Sequence, residues 1–264
     1  MAKTVQTSTD AAGLTSSLGS SARRSAIKQV IGRSLKKMGY TLSRNKPPTK
    51  LVFRNIPGWF SDAEAEALYT LAATAPVRRI LEVGHFLGRS TSAICEGIRD
   101  AGSVIEFNSY DLGLASAEEF VAHYRRVFDT CSSQPSRESE ELVFSQEKTT
   151  SEIAKMHLRR FDLDRFVNLI TGDFTVLDRT QYGLIFCDAT HDRGEIALNL
   201  PHLVRVSSDD CVWALHDMNP GNVADVFGAS PARLIRVVDT LGIFRFQRQT
   251  PGSQNVDQGL PPSA

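Results

Sequence analysis

Ile80-Leu81-Glu82-Val83-Gly84-His85-Phe86-Leu87-Gly88-Arg89-Ser90-Thr91 is the stretch that decides the fold of this chain. A short apolar run ends in an acid, two glycines follow four residues apart, and hydroxyl residues open a segment with helical spacing. The pattern predicts a buried strand, a tight turn that cradles a ligand, and the first turn of a helix. Glycine suits such a turn because a Cβ would clash where backbone bends sharply or approaches a ligand. An ordinary strand-to-helix loop also carries glycine. The acid two residues before the first glycine is what favours the ligand-binding reading.

Outward from this stretch, strand and helix signals alternate. Residues 103–111 read as a second strand ending at Asp111, and 167–170 as a third running into Gly172-Asp173. Residues 182–187 form the most continuous apolar run and stop at Asp188; residues 211–215 stop at His216-Asp217. Residues 243–248 read as a last strand. Helices are predicted over 62–73, opened by the capping-box spacing Ser61…Glu64, and over 89–99, 115–130, 151–161 and 194–206. A further amphipathic helix is predicted from Pro231, with Leu234, Ile235, Val238 and Leu241 in register. Trp59 reads as packing, or as the edge of a lid.

Strands that are apolar throughout and alternate with helices imply an α/β fold, a parallel sheet covered on both faces. Ligands bind such sheets beyond the carboxyl ends of the strands. Acids gather at those ends here: Glu82, Asp111, Asp173, Asp188 and Asp217. That one-sided clustering points to a site rather than to random loop polarity.

Composition sets the frame. The 264 residues carry no formal net charge, and 41% are apolar, enough for one large α/β domain with extensions. No apolar run is long enough to span a bilayer, and no signal peptide is evident, so a cytoplasmic location is expected. Cys95, Cys131, Cys187 and Cys211 are scattered without a C-x-x-C pair and read as reduced core residues. Residues 1–20 are rich in Ser, Thr and Ala and read as disordered. Residues 21–55 hold a basic amphipathic helix and a linker, the domain proper spans 56–248, and 249–264 form a loose tail, with a short edge strand at 255–260 as an option. The helix docks on its own domain or a second subunit, giving a homo-oligomer, or meets an anionic membrane surface or acidic partner through residues 23–50. Nucleic acid is not expected, since no base-stacking aromatics accompany the patch.

A glycine-cradled site ringed by acids suits a ligand with hydroxyls and positive charge better than a pyrophosphate. A dinucleotide loop would show G-x-G-x-x-G over the helix N-terminus, where Glu82 would oppose phosphate. S-adenosylmethionine has ribose hydroxyls, an adenine amine, an ammonium and a sulfonium, and fits the pattern. Residues 80–217 resemble a class I S-adenosylmethionine-dependent methyltransferase, most similar to small-molecule and sugar O-methyltransferases. The resemblance implies a Rossmann-like, doubly wound, mostly parallel seven-stranded sheet. It also implies cofactor contacts for Glu82, Gly84, Gly88 and Ser90 in the first motif, for Asp111 at the ribose, and for Asp173 at the adenine. Asp188-x-x-His191 and His216-Asp217 match the branch's signatures after the fourth and fifth strands. Phe86 departs from the commoner middle glycine, and Asp192-Arg193-Gly194-Glu195 from the usual segment after His191.

Methyl transfer from a sulfonium is an in-line displacement, so the protein places an acceptor and manages its proton. His191 is the candidate general base, because imidazole titrates near neutral pH. Asp188 joins it as a catalytic or cofactor-binding candidate. Asp188 and Asp217 are also candidate ligands of a divalent cation such as magnesium, the alternative being a helix cap and a hydrogen-bonded corner. His85 and His202 read as surface or loop histidines, and His123 and His157 as helix-face residues. The expected activity is O-methylation of a small molecule or sugar hydroxyl. Residues alone leave open a nicotinamide-dependent oxidoreductase, a non-catalytic cofactor-binding or scaffold protein, and a hydroxylase on the same fold.

Overall fold

The computed structural model describes residues 51–114 and 148–248, all within one unit of the chain. The basic helix at 23–50, the helix at 115–130, the polar stretch to 147, Cys131, His123 and the tail lie outside the described residues. Seven strands form one sheet: β1 (Arg79–Val83), β2 (Glu106–Asp111), β3 (Asn168–Thr171), β4 (Tyr182–Cys187), β5 (Ser207–Leu215), β6 (Ala232–Val238) and β7 (Leu241–Gln247). The described helices are α1 (Asp62–Thr74), α2 (Arg89–Ala101), α3 (Thr150–Arg160), α4 (Arg193–Val206) and α5 (Pro220–Ala229). Among the described residues no helix is long and apolar enough to cross a membrane.

The strand order is β3-β2-β1-β4-β5-β7-β6. β1 to β5 pair in parallel, and β7 runs antiparallel to both β5 and β6. The order reverses direction at β1, whose neighbours are β2 and β4, so a crevice opens at their carboxyl ends. Backbone bonds hold the loops together just beyond the strands. Gly84 N–H donates to Tyr110 O at 2.7 Å, Asp188 N–H to Val83 O at 2.8 Å, and Gly172 N–H to Asp111 O at 2.8 Å.

Both sheet faces are covered. Leu81, Val83, Ile185, Cys187, Trp213 and Leu215 face α4 in one buried cluster with Ile196, Leu200 and Leu203. Successive residues in a strand point to opposite faces, so Ile80, Glu82, Leu184 and Phe186 face the other way. Cys95, Cys187 and Cys211 are buried and unpaired, as core thiols.

Three sequence expectations are corrected. The helix predicted from Pro231 is instead strand β6, which turns back through Asp239 (φ 52°) into β7. A short apolar run fits either period, and the β-branched Val237 and Val238 pair with Gly242 and Leu241 of β7. The helix in this region is α5, announced by Asn219 as N-cap and Pro220 at its first position. β2 starts only at Glu106, leaving Val104 fully exposed. Residues 51–55 are part of the domain rather than a linker. Phe53 is fully buried, and the N–H groups of Val52 and Phe53 donate to the Glu96 carboxylate at 3.0 and 3.3 Å.

Glu82 joins the sheet to α2. It is wholly buried, and its oxygens accept from Ser90 Oγ (2.7 Å), Thr91 Oγ1 (2.7 Å) and Ser109 Oγ (2.6 Å). Burial pushes its carboxyl up to about 7, against the pull of the three hydroxyls. α1 crosses α2 at Gly97, where an added Cβ would stand 2.5 Å from Tyr69 O and 2.8 Å from Ala72 Cβ.

Gly97→Val is therefore expected to destabilise the domain by about 1–3 kcal/mol through overpacking against backbone, read by chemical denaturation. The raised carboxyl of Glu82 makes the folded state bind a proton that the unfolded chain has already released, so stability falls as pH rises from about 4.5 to 7. The size of this effect is about 3 kcal/mol over that window. Glu82→Gln is expected to abolish this contribution, so that the stability of the variant gains on the native chain across that window.

Candidate active site

The loop after β1 is shaped by two glycines in the left-handed region, Gly84 (φ 85°) and Gly88 (φ 90°). A Cβ on Gly84 would lie 3.1 Å from Asp188 O, so only glycine lets the loops after β1 and β4 close on each other. Gly88 caps α2 in the conformation that glycine adopts without strain. Phe86 between them is also left-handed (φ 43°), at a cost of about 1–3 kcal/mol for a residue with a side chain. Two contacts hold it there. Its N–H donates to Asp111 Oδ2 at 2.8 Å, and its ring stacks on Trp59 with centroids 4.9 Å apart and planes at 11°. The departure from glycine thus builds an aromatic wall.

Trp59 reaches that wall because Arg89 pins the segment before α1. The guanidinium donates to Phe60 O at 2.6 Å, Ile56 O at 2.8 Å, Phe53 O at 3.1 Å and Asp62 Oδ1 at 2.7 Å. Trp59 is therefore packed, as one of its two readings has it, and also lines the cavity over the strand ends.

A cavity of about 510 Å³ opens over the carboxyl ends of the strands. Asp111, Asp173, Asp188 and Asp217 all line it, with Gly84, Gly172 and His191. Glu82 does not. Its hydroxyl cage occupies it beneath the loop; Ser90 lines the cavity, but its hydroxyl is turned to Glu82. Asp111 accepts the N–H groups of Phe86 and Gly113, both at 2.8 Å. Asp173 accepts from Thr175 N–H at 2.8 Å, which lowers its pKa. Open space surrounds the position where a Cβ would stand on Gly172 (φ 154°).

The other half of the cavity is a network of charged groups. Asp188 Oδ1 accepts from His216 Nδ1 at 2.8 Å, and His216 Nε2 lies 3.6 Å from Glu64 Oε2. Glu64, in the first turn of α1, also accepts from Ser61 N–H, Thr240 N–H and Thr240 Oγ1. Burial alone would lower the pKa of His216, but Asp188 and Glu64 raise it well above the ordinary value. Burial would likewise raise Asp188, and His216 pulls it down. His191 binds Glu195 Oε2 through Nδ1 at 2.6 Å, with Nε2 3.7 Å from Asp188 Oδ1 and 3.5 Å from Asp217 Oδ2. Against its burial, the Glu195 hydrogen bond and the Asp188 and Asp217 carboxylates push its pKa to about 9. Burial and the neighbouring Asp188 carboxylate raise Asp217, whose backbone is left-handed (φ 56°). Asn222 Nδ2 ties the two loops, donating to His191 O and Asp217 O at 3.1 and 3.0 Å.

Asp188, His191 and Asp217 each offer a ligand atom within 4.8 Å of the others, a set suited to a hard cation with water completing its shell. The sequence pattern missed Glu64, Glu195 and Arg89. Glu64 was visible as a cap, and the 176-residue separation from Thr240 hid its second role. His85 lies in the loop after β1, the second of the two places read for it, and is buried there between Ser109 and Ser151; His202 is on α4, in the cavity wall beside Arg205. His157, on α3, donates through Nδ1 to Leu87 O at 2.9 Å.

Residues 81–218, more than half of the chain, match the family model described as a methyltransferase domain. No match is found among curated proteins. Solved structures similar to this chain include a methyltransferase from Geobacter sulfurreducens, 13% identical with TM-score 0.48, covering 84% of this chain and 90% of that one. An O-methyltransferase from Bacillus cereus in complex with SAH is 15% identical with TM-score 0.44, covering 84% and 91%. The O-methyltransferase TomG from Streptomyces achromogenes, involved in tomaymycin synthesis and in complex with SAM, is 16% identical with TM-score 0.44, covering 83% and 87%. With the domain match and a 3-2-1-4-5-7-6 sheet whose seventh strand is antiparallel, the chain belongs to the methyltransferase-domain family and has the class I, S-adenosylmethionine-dependent fold.

Proposed function

We propose that the chain transfers a methyl group from S-adenosylmethionine to a hydroxyl of a small molecule. One observation carries this reading: a single cavity joins the strand-end acids Asp111 and Asp173 to the Asp188, His191 and Asp217 cluster. The first half suits the cofactor. Asp111 would take the ribose hydroxyls, Asp173 the adenine amine, and the glycines of loop 84–88 would leave room for the methionine portion beside Asp188. When bound, the cofactor supplies the electrophilic methyl group on a sulfonium.

The second half suits the acceptor. Its carboxylates disfavour an anionic substrate and suit hydroxyls or a cationic group, while Trp59 and Phe86 offer an apolar wall. His191 is the group we assign to take the acceptor's proton, steadied by Glu195. A pKa near 9 makes it a strong base but leaves only about 3% of it neutral at pH 7.5. A divalent cation is a second element of this reading, favoured by the carboxylate oxygens of Asp188 and Asp217, which would leave His191 Nε2 to act as the base. Its chemistry there would be Lewis-acid polarisation of the acceptor oxygen. The buried, unpaired cysteines fit a reducing compartment, which we take to be the cytoplasm. Our reading gives the basic segment at 23–50 a peripheral role, in self-association or contact with an anionic surface.

Calorimetric titration of the full chain with S-adenosylmethionine is expected to show binding, and Asp111→Ala to weaken it about 10–100-fold through loss of hydrogen bonds to a charged group. Absence of any binding by the native chain would sink the reading. In a hydroxyl-acceptor screen with labelled cofactor, His191→Ala is expected to lower kcat by about 10²–10⁴-fold while leaving cofactor affinity intact. Persistent binding without turnover across the screen would favour a non-catalytic role instead. Chelation is expected to reduce turnover and added magnesium to restore it; turnover indifferent to both removes the cation from the mechanism.

A further inference from the structure

His85 has no part in the chemistry above, yet it is 1% exposed and touches hydroxyls from two different elements. We propose that His85 is a positioning residue for the cofactor loop, held as its neutral Nδ1–H tautomer by a one-directional chain of buried hydrogen bonds from Thr171 through Ser151, His85 and Ser109 to Glu82. The effect assigned to the loop rests on the cofactor reading above; the tautomer does not.

The direction of the chain follows from its end. An ionised carboxylate only accepts, and Glu82 Oε2 lies 2.6 Å from Ser109 Oγ, so the one hydroxyl proton of Ser109 is committed there. Ser109 Oγ then has only lone pairs for His85 Nδ1 at 3.0 Å, and the ring proton must sit on that nitrogen. Burial lowers the pKa of the imidazole, so the ring is neutral and Nε2 is an acceptor. Ser151 Oγ, 2.9 Å away, donates to it. Ser151 Oγ in turn accepts from Thr171 Oγ1 at 3.2 Å. Each hydroxyl proton is used once.

The chain crosses β1, β2, β3 and α3, and it brackets Asp111. Phe86, the residue after His85, donates its N–H to Asp111 Oδ2 at 2.8 Å, and Thr150, the residue before Ser151, places Oγ1 3.4 Å from Asp111 Oδ1. Locking the ring of His85 therefore locks both flanks of the acid assigned to the ribose. His85 acts through that acid, without touching the reacting atoms.

The test has two arms. Long-range ¹H–¹⁵N correlation on the full chain labelled at histidine, at pH 8.5 where Glu82 is ionised, should show His85 protonated at Nδ1 and bare at Nε2. The signal is assigned by its loss in His85→Phe. An Nε2–H tautomer or a charged ring would overturn the proposal, whatever the chain binds. In the second arm, His85→Phe keeps the ring's shape and Ser151→Ala removes only the Nε2 partner. Both are expected to raise the Kd for S-adenosylmethionine about tenfold, with kcat at saturating cofactor held within about threefold. Native affinity in both variants, or a loss confined to kcat, would also overturn it. If the native chain binds no S-adenosylmethionine, the proposed function fails, and the tautomer arm still decides this inference.

Discussion

A carboxylate buried without a cationic partner is the constraint on which this structure turns. Glu82 sits next to the carboxyl end of β1 with no accessible surface, and an ion in that position is costly unless its lone pairs are filled. Three hydroxyls fill them, from Ser90 and Thr91 at the start of α2 and from Ser109 on β2. Satisfying one charge therefore fixes where α2 begins relative to the sheet, and hence the span of the loop between. The glycines at 84 and 88 accommodate that span, and Phe86 takes a left-handed backbone within it. The acid at the end of the opening apolar run thus supports the loop whose residues line the cavity.

The cavity above this foundation is divided by charge. In one half, Asp111 and Asp173 accept from backbone N–H groups, and for Asp173 this lowers the pKa. In the other half, two histidines stand among four carboxylates: Glu64, Asp188, Glu195 and Asp217. Each imidazole is surrounded by negative groups that strengthen its hold on a proton. This half retains an excess of negative charge even with both rings protonated, and this suits hydroxylated or cationic ligands. Glu64 extends the network into α1, so the helix cap and the site share one side chain.

Much of this was legible in the residues, for identifiable reasons. β1, β4 and the last five residues of β5 are mostly buried and read as apolar runs; the acids at 111, 173, 188 and 217 stand at or just beyond the ends of β2, β3, β4 and β5, and all four line the cavity. Elements decided by local chemistry were equally legible: the capping box Ser61…Glu64 opens α1 as its spacing predicts. β6 was misread because Leu234, Ile235, Val238 and Leu241 satisfy a helical period, while pairing with β7 depends on a turn at Asp239 that carries no glycine signal. The burial of His85 in its loop was not legible because nothing near it in sequence supplies its partners, which come from residues 109 and 151.

The sequence by itself determined the strands β1 to β5, the glycine turn and the row of acids, since each depends on residues within a few positions of one another. Tertiary structure alone decided which of those acids face the cavity and which charge states they hold. Burial and the approach of distant groups set those properties, as when Ser109 closes over Glu82 or Glu64 reaches His216. Local pattern records which group is present. Only the packed fold records what the group is pressed against, and that contact buries Glu82 beneath the loop while Asp111 lines the cavity.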